Sequence, residues 1–243
     1  MGVEKIRINQ QSISIIFLHM KIDYKQEFEK EYSDKLKNGD NGWNNDDIIL
    51  SQFEIVKESL KRNNLLSKNI LELGCGDGKL AILLAKEGFN VTGIDISKTA
   101  IDWAMKRSES IITPIDFRVA DVLNLPFKKN NFDLVIDSFC LHCIIGNDRN
   151  DFFSEVKRVL KDEGLLLVMT KTGTPTFNNM QRTFDQEQRI SYINGKPSRY
   201  WGTKEILINE IQQSGFSIKW YEIKHYNYEV NTGLFIADAY KLK

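Results

Sequence analysis

The stretch Leu71-Glu72-Leu73-Gly74-Cys75-Gly76-Asp77-Gly78 decides the fold, because it turns a short apolar strand directly into a helix. The strand begins at Asn69, and the periodicity predicts a helix from Lys79 to Glu87 with Gly88 just beyond its C-terminus. Glycines in such a turn can adopt positive φ angles and let a ligand approach the backbone closely. The helix that follows offers free N–H groups and the positive end of its dipole. The stretch therefore predicts a ligand site at the end of the first strand.

The spacing of these glycines argues against a dinucleotide pyrophosphate as the ligand. The dinucleotide fingerprint needs a third small residue three places after its second glycine. That place holds Lys79, and the glycines instead follow a G-x-G-x-G pattern with Glu72 two residues upstream. An NAD-dependent oxidoreductase is therefore the less favoured alternative.

Strands and helices alternate on both sides of this turn. Apolar periodicity predicts a helix from Asp46 to Arg62, and Ser97 is a suitable N-cap for another. Further strands are predicted at 91–96, 115–119, 132–138 and 165–169, and the helix before the last of them presents Phe152, Phe153, Val156, Val159 and Leu160. This alternation indicates right-handed βαβ units and a parallel sheet in a single α/β domain.

The flanks divide the chain further. Residues 1–45 are interpreted as an N-terminal extension and candidate lid, and 46–243 as the folded domain. Within that domain, 69–170 form the ligand-binding half, 171–201 a substrate-facing insertion, and 202–243 a final helix and hairpin. From Thr170 to Tyr200 no periodicity is visible, so an irregular loop is expected, and loops of that length are usually functional. The apolar run from Ser12 to Met20 is too short to cross a bilayer and is expected to be an extension or an added strand.

Composition narrows the class of protein. The 243 residues carry 33 Lys and Arg against 33 Asp and Glu, whereas nucleic-acid binders usually have a basic excess. No nucleic-acid partner and no membrane association are therefore expected. The three cysteines, an odd number, favour reduced thiols and a cytoplasmic protein.

Five ordered segments resemble class I S-adenosylmethionine-dependent methyltransferases. The turn from Glu72 to Gly78 resembles the first motif of that family, and the match continues at Val91–Ser97, Ala120–Phe127, Phe132–Asp137 and Arg158–Gly164. The resemblance covers roughly Asn69 to Met169. It implies a Rossmann-like, doubly wound sheet of seven mostly parallel strands with an antiparallel last strand. It also implies S-adenosyl-L-methionine as the cofactor.

The resemblance assigns roles to individual side chains. Asp95 would accept the ribose hydroxyls, and Asp121 with the N–H of Val122 would meet the adenine. Glu72 would either organise the glycine turn or face the cationic end of the cofactor. Asp137 would face the ammonium of the cofactor. The remaining residues expected to line the cofactor site are Gly74, Cys75, Gly76, Ile96 and Ser138.

His142 is the histidine nearest the predicted chemistry. Its unperturbed pKa of about 6.5 suits a general base, and a buried packing role is the structural alternative. Cys140, His142 and Cys143 also form a cluster, but no second pair of ligands completes a zinc site, so no metal is expected. Cys75 is expected to fill space and not to act as a nucleophile.

The insertion and the N-terminal flank supply candidates for acceptor binding. Trp43 is either part of a lid or a buried anchor. The insertion mixes aromatic rings with arginines, a composition that suits a substrate wall: Phe177, Met180, Phe184, Arg189, Tyr192, Arg199, Tyr200 and Trp201. We expect methyl transfer to a small-molecule acceptor by direct displacement. The alternatives are a protein methyltransferase, acting on lysine or another side chain, and a catalytically silent relative that binds the cofactor.

Overall fold

The computed structural model describes residues 22–65, 69–177, 180–225 and 232–242, so the Ser12–Met20 run lies outside the described residues. The helices are α1 (Tyr24–Lys37), α2 (Asp46–Arg62), α3 (Lys79–Lys86), α4 (Lys98–Ser108), α5 (Asp148–Val159) and α6 (Lys204–Gln213). The strands are β1 (Asn69–Leu73), β2 (Asn90–Asp95), β3 (Asp116–Val119), β4 (Phe132–Ser138), β5 (Leu160–Gly173), β6 (Arg182–Asp185), β7 (Ile190–Ile193), β8 (Lys196–Tyr200), β9 (Phe216–Lys224) and β10 (Thr232–Lys241).

The main sheet has seven strands in the order β3-β2-β1-β4-β5-β10-β9. Its first five strands in that order pair in parallel, whereas β10 runs antiparallel to both of its neighbours. This confirms the predicted Rossmann-like sheet with an antiparallel last strand. The strand order reverses between β1 and β4, and open α/β sheets bind ligands beyond the carboxyl ends of the strands at such a point.

Side chains alternate between two apolar layers, one on each face of the sheet. Leu71 and Leu73 pack with α5 and α6, whereas Ile70 packs with α2, α3 and α4. Because side chains of a strand alternate, Glu72 points to the same face as Ile70. The glycine turn after β1 therefore opens toward α2 and α3.

The stretch from Thr170 to Tyr200 is not an irregular loop, so that prediction was wrong. β5 continues to Gly173, and β6, β7 and β8 form a separate antiparallel sheet, the meander. Its strands have only four or five residues, too few for a clear period. Asn194 and Gly195, both at positive φ, make the tight turn between β7 and β8.

Helix α1 occupies part of the predicted N-terminal extension and packs onto the domain. The Asp23 carboxylate accepts from the N–H of Gln26 at 2.9 Å and caps the helix. The Glu29 carboxylate accepts from the hydroxyls of Ser97 (2.8 Å) and Thr99 at the start of α4. These contacts hold α1 over the carboxyl edge of the sheet. Among the described residues, no helix is both long and apolar enough to span a membrane.

Candidate cofactor site and adjoining cavity

A cavity of about 720 Å³ lies at the carboxyl ends of β1, β2 and β4. The glycine turn forms its floor. The walls include α1, the start of α2, the turn after β4, the meander and the start of β10. Its size lies within the range of small-molecule and cofactor sites.

The glycine turn can be built only from glycines at two places. Gly74 and Gly76 have φ angles of 68° and 54°, which L side chains rarely adopt. A Cβ at Gly76 would lie 2.6 Å from the hydroxyl oxygen of Tyr32, and one at Gly74 would lie 3.1 Å from Cβ of Cys140. The absence of side chains thus lets Tyr32 and Cys140 pack directly on the glycine turn, whose backbone lines the cavity.

Asp95 ends β2 and lines the cavity as predicted. Its carboxylate accepts from the N–H of Gly76 at 3.0 Å and from that of Ser97 at 2.9 Å, which fixes the glycine turn against β2. Ser97 caps α4 by accepting from the N–H of Ala100 at 3.1 Å, so Asp95 is not needed as the cap. Burial raises the pKa of Asp95 to about 6. Lone pairs remain on both oxygens to accept a pair of hydroxyls.

Glu72 is the second buried acid of the site. Only 1% of its surface is exposed, and Oε2 has no hydrogen-bond partner in the described part of the chain. Burial, together with the negative charges of Asp77 and Asp95, raises the pKa of Glu72 to about 8. A cation beside this carboxyl would stabilise the ionised form.

Five other residues predicted for the cofactor site also line the cavity, namely Cys75, Ile96, Asp121, Val122 and Ser138. Burial raises the pKa of the Cys75 thiol well above its usual value, so the thiol stays protonated and fills space. The carboxylate of Asp121 accepts from the N–H of Leu123 at 2.9 Å and shapes the loop after β3.

The structure contradicts the predicted role of Asp137. It is fully buried and does not line the cavity, because it lies on the opposite face of β4 from Ser138. Its Oδ1 accepts from the N–H groups of Cys140 and Leu141, both at 2.8 Å, and so fixes the turn after β4. The geometry therefore does not support contact between Asp137 and an ammonium group.

His142 lies in that turn, on the other side of the cavity from β2. It is 4% exposed, and its Nδ1 has no hydrogen-bond partner among the residues that the structure describes. Burial lowers the pKa of His142 well below 6.5, and the positive charges of Lys171, Arg199 and Arg149 lower it further. The ring is therefore neutral at physiological pH.

The wall beyond His142 contains part of the predicted substrate contacts. Trp43 lines the cavity and packs on Tyr32 with ring centroids 5.1 Å apart. Of the eight residues predicted in the insertion, three line the cavity: Phe177, Arg199 and Trp201. The other five do not: Met180, Phe184, Arg189, Tyr192 and Tyr200. Arg189 is structural, since it donates to the carbonyls of Trp201 (2.8 Å) and Gly173 and ties the meander to β5.

Known proteins with similar sequences include methyltransferases. A family model described as a methyltransferase domain matches residues 71–168. An uncharacterized methyltransferase of Schizosaccharomyces pombe is 34% identical over 126 residues, which cover 52% of this chain and 86% of that relative. The chain belongs to the class I S-adenosylmethionine-dependent methyltransferases.

Two further comparisons concern a second relative and a solved structure of the same fold. A Bacillus subtilis relative with a provisional methyltransferase name, YqeM, is 36% identical over 130 residues, and the chain spans about half (51%) of its length. A 1,6-didemethyltoxoflavin-N1-methyltransferase of Burkholderia thailandensis shares the fold with a TM-score of 0.64. That structure is 13% identical, covers 92% of this chain and 93% of its own, and holds 1,6-didemethyltoxoflavin and S-adenosylhomocysteine.

The residues of this methyltransferase fit S-adenosylmethionine, the family's cofactor. The unpartnered Oε2 of Glu72 suits a positively charged group, and the backbone of Gly74 and Gly76 lines the cavity close to it in the sequence. Asp95 and Asp121 offer carboxylate oxygens to hydroxyl and amino donors. Among the described residues, no cluster of three or more His, Cys, Asp or Glu could hold a metal ion.

Sequence reasoning missed several residues of the cavity wall. Tyr24, Phe28 and Tyr32 of α1 line it, and their spacing of four residues is a helical signal. Gln52 of α2 also lines it and is 2% exposed, with neither amide atom hydrogen-bonded within the described chain. Two cations were missed as well, Lys171 at the end of β5 and Arg182 at the start of β6.

Proposed function

We propose that this methyltransferase transfers a methyl group from S-adenosylmethionine to a small-molecule acceptor by direct displacement. One observation carries the proposal: a single cavity connects the glycine turn and Asp95 with His142 and the aromatic wall. Helix α1 and the meander wall that cavity, which suits a small acceptor better than a protein side chain on a large partner. The Burkholderia protein of the same fold is named for a small-molecule acceptor.

The roles of the cofactor-side residues follow from their positions. Asp95 accepts from the two ribose hydroxyls, and Asp121 accepts from the adenine amino group while the N–H of Val122 donates to the ring. Glu72 lies near the positive charge of the cofactor, whose electrostatic attraction lowers the pKa of Glu72 on binding. Gly74 and Gly76 allow the methionine portion to pass close to the backbone. These contacts supply orientation, and positioning alone can lower a barrier by roughly 7–11 kcal/mol.

The chemical step then needs little from the protein. S-adenosylmethionine, when bound, would supply an electrophilic methyl group; attack by the acceptor's lone pair would form the new bond to carbon, the electrons of the broken carbon–sulfur bond would stay on sulfur, and the acceptor would lose its proton. Neutral His142, which lines the cavity, receives that proton on its imidazole ring when the nucleophile carries one. Its low pKa makes it a modest base, so we expect orientation to contribute more than proton transfer.

The composition of the chain bears on the cellular compartment and on the class of substrate. The chain has equal numbers of acidic and basic residues, and its three cysteines are free thiols in the structure. We propose a cytoplasmic enzyme without a nucleic-acid substrate on these grounds.

Two measurements on the purified chain test the function. Calorimetry should show binding of S-adenosylhomocysteine, and methyl-labelled S-adenosylmethionine should label a compound in a fractionated small-molecule extract. Label found in protein instead would favour the protein methyltransferase. Cofactor binding with no labelled product in either fraction would favour a silent relative, and absence of binding would refute the proposal.

A further inference from the structure

Charge divides the cavity into two regions. Among the described residues, four acids line it, Glu72, Asp77, Asp95 and Asp121, in or beside the glycine turn and at the ends of β2 and β3. The basic residues of the described chain that line it, Lys171, Arg182 and Arg199, come from the end of β5 and the meander. The acidic region complements a cationic cofactor. The cationic region faces the space left for the acceptor.

Each of these cations is held against an aromatic ring of the same wall. The guanidinium carbon of Arg199 lies 5.4 Å from the centroid of Phe28, and Nζ of Lys171 lies 5.3 Å from that of Trp201. Arg182 lies 5.8 Å from Phe177. Cation–π contacts at these distances favour the position of each charge.

Arg199 retains donors for a ligand. Its Nη1 donates to the carbonyl (2.7 Å) and hydroxyl (3.2 Å) of Ser198. Within the described residues, no hydrogen bond is formed by Nε or Nη2, and no carboxylate oxygen lies within 4 Å of the group. The positive charge of Arg199 acts to lower the pKa of Glu31 on α1, but Glu31 does not line the cavity. An arginine with one free edge matches the geometry of a carboxylate.

His142 lines the same cavity as Lys171 and Arg199, and its pKa responds to their charges. The positive charges of Lys171 and Arg199 both lower the pKa of its buried ring. The cations therefore lie close to the group that would receive the acceptor's proton. An anion bound between them would be next to the reacting atoms.

We propose that the acceptor is a carboxylate-bearing compound with an aromatic or apolar body, anchored by Arg199 and Lys171 and methylated at a different atom. This proposal rests on the proposed function, since it specifies the acceptor of that reaction. The carboxylate pairs with the two cations, and the body packs on the aromatic wall formed by Phe28, Trp43 and Trp201.

Matched acid and amide probes test the anchor directly. Indole-3-acetate and indole-3-acetamide, and 3,4-dihydroxybenzoate and its amide, differ only in the charged group. We expect calorimetry on protein saturated with S-adenosylhomocysteine to show that each acid binds about tenfold or more tightly than its amide. Arg199→Gln should remove that preference and leave amide binding unchanged, and Arg199→Lys should restore part of it. Arg118→Gln is the matched control, because Arg118 is exposed and paired with Asp116 at 2.6 Å.

Other outcomes would overturn the anchor. The anchor would be refuted if the acids bound no better than the amides, or did not bind at all. A loss of S-adenosylhomocysteine affinity in Arg199→Gln and in Lys171→Gln would also refute it, because these cations would then hold the cofactor's own carboxylate. Lys171 lies on β5, so its variant keeps the test valid if Arg199→Gln disturbs the meander.

The natural acceptor provides the second readout. The labelled product from the extract should be retained by an anion exchanger at neutral pH and should be stable in mild base. An unretained product, or release of labelled methanol in base as from a methyl ester, would contradict the proposal. Failure of S-adenosylhomocysteine to bind would refute the proposed function instead, and the probe pairs can still be compared on cofactor-free protein.

Discussion

The two regions of the cavity differ in how the chain assembles them. The acidic region comes from the turns at the ends of β1, β2 and β3, all within residues 72–121. The cationic region comes from the end of β5 and the meander, and α1, the start of α2 and the start of β10 complete the wall beside it. These elements are far apart in the sequence. The cofactor region is thus part of the sheet itself, whereas the acceptor region depends on elements added around it. Changes in the first should affect every reaction step, and changes in the second should affect mainly the acceptor.

Asp95→Ala should give the largest effect on the cofactor region. The substitution removes a charged acceptor for ribose and leaves the N–H groups of Gly76 and Ser97 without their carboxylate. We expect S-adenosylhomocysteine affinity to fall about 100-fold or more, because hydrogen bonds to charged groups each contribute about 1.5–3 kcal/mol. Calorimetry checks this, with exposed Asp116→Ala as the control. Unchanged affinity and full turnover in Asp95→Ala would contradict the assignment.

The same contrast explains which parts could be predicted from the sequence. β1, β2 and β4 are short, mostly apolar runs, and α2 and α3 show helical periodicity, so their positions agreed with the structure within one or two residues. Apart from Asp137, the residues predicted at the ends of those strands line the cavity. At Asp137 the strand's alternation was decisive, since Ser138 faces the cavity and Asp137 faces the other layer.

The acceptor region was predicted less well for physical reasons. Strands of four or five residues, such as β6 and β7, are too short for alternation to stand out, although the Asn194-Gly195 dipeptide is a hairpin signal. Sequence composition correctly indicated aromatic rings and arginines. It could not indicate which of them turn inward, and Arg189 proved to bind backbone carbonyls while Arg199 lines the cavity.

Gly76→Ala compared with Gly88→Ala separates backbone strain from the shape of the cofactor site. Both glycines have positive φ, 54° and 88°, but a Cβ at Gly88 meets nothing within 4 Å. We expect each substitution to cost about 1–2 kcal/mol of stability from strain. Only Gly76→Ala should also weaken S-adenosylhomocysteine binding, because its Cβ would press on the hydroxyl of Tyr32. Chemical denaturation and calorimetry measure the two effects.

A second substitution tests that explanation. Tyr32→Phe removes the hydroxyl that the new Cβ would contact, so adding it to Gly76→Ala should recover part of the lost stability. No recovery in the double variant would show that α1 is not held against the glycine turn as the structure has it.

His142→Phe should affect turnover without affecting the cofactor. The ring of Phe would keep the edge-on packing against Phe139, whose centroid lies 6.0 Å away, while both ring nitrogens are lost. We expect the rate of methyl transfer to fall about tenfold, less than a base with a well-matched pKa would give. S-adenosylhomocysteine affinity should stay the same. If the variant kept full activity, we would conclude that water accepts the proton and that His142 has only a packing role.

The smallest effect concerns the pH dependence of stability, and it comes from Glu72. Its pKa is raised from 4.5 to about 8 in the folded chain, so the folded state binds this proton more tightly than the unfolded state. The resulting stabilisation is complete below about pH 4.5 and is lost as the pH rises toward 8. We expect the free energy of unfolding of the cofactor-free protein to fall between pH 6 and 8, by on the order of 1 kcal/mol. Urea denaturation at both pH values measures it.

Glu72→Gln provides the decisive control, because glutamine keeps the shape of the side chain and cannot ionise. Most of the decrease in stability between pH 6 and 8 should disappear in this variant, and an unchanged slope would assign the decrease to another group, such as Asp137, whose pKa is raised to about 7. In the unchanged protein, S-adenosylmethionine should stabilise the fold more at pH 8 than at pH 6, since its positive charge favours ionised Glu72. A carboxylate probe of the acceptor region should show no such dependence on Glu72. The two regions would then differ in their response to pH as they do in charge.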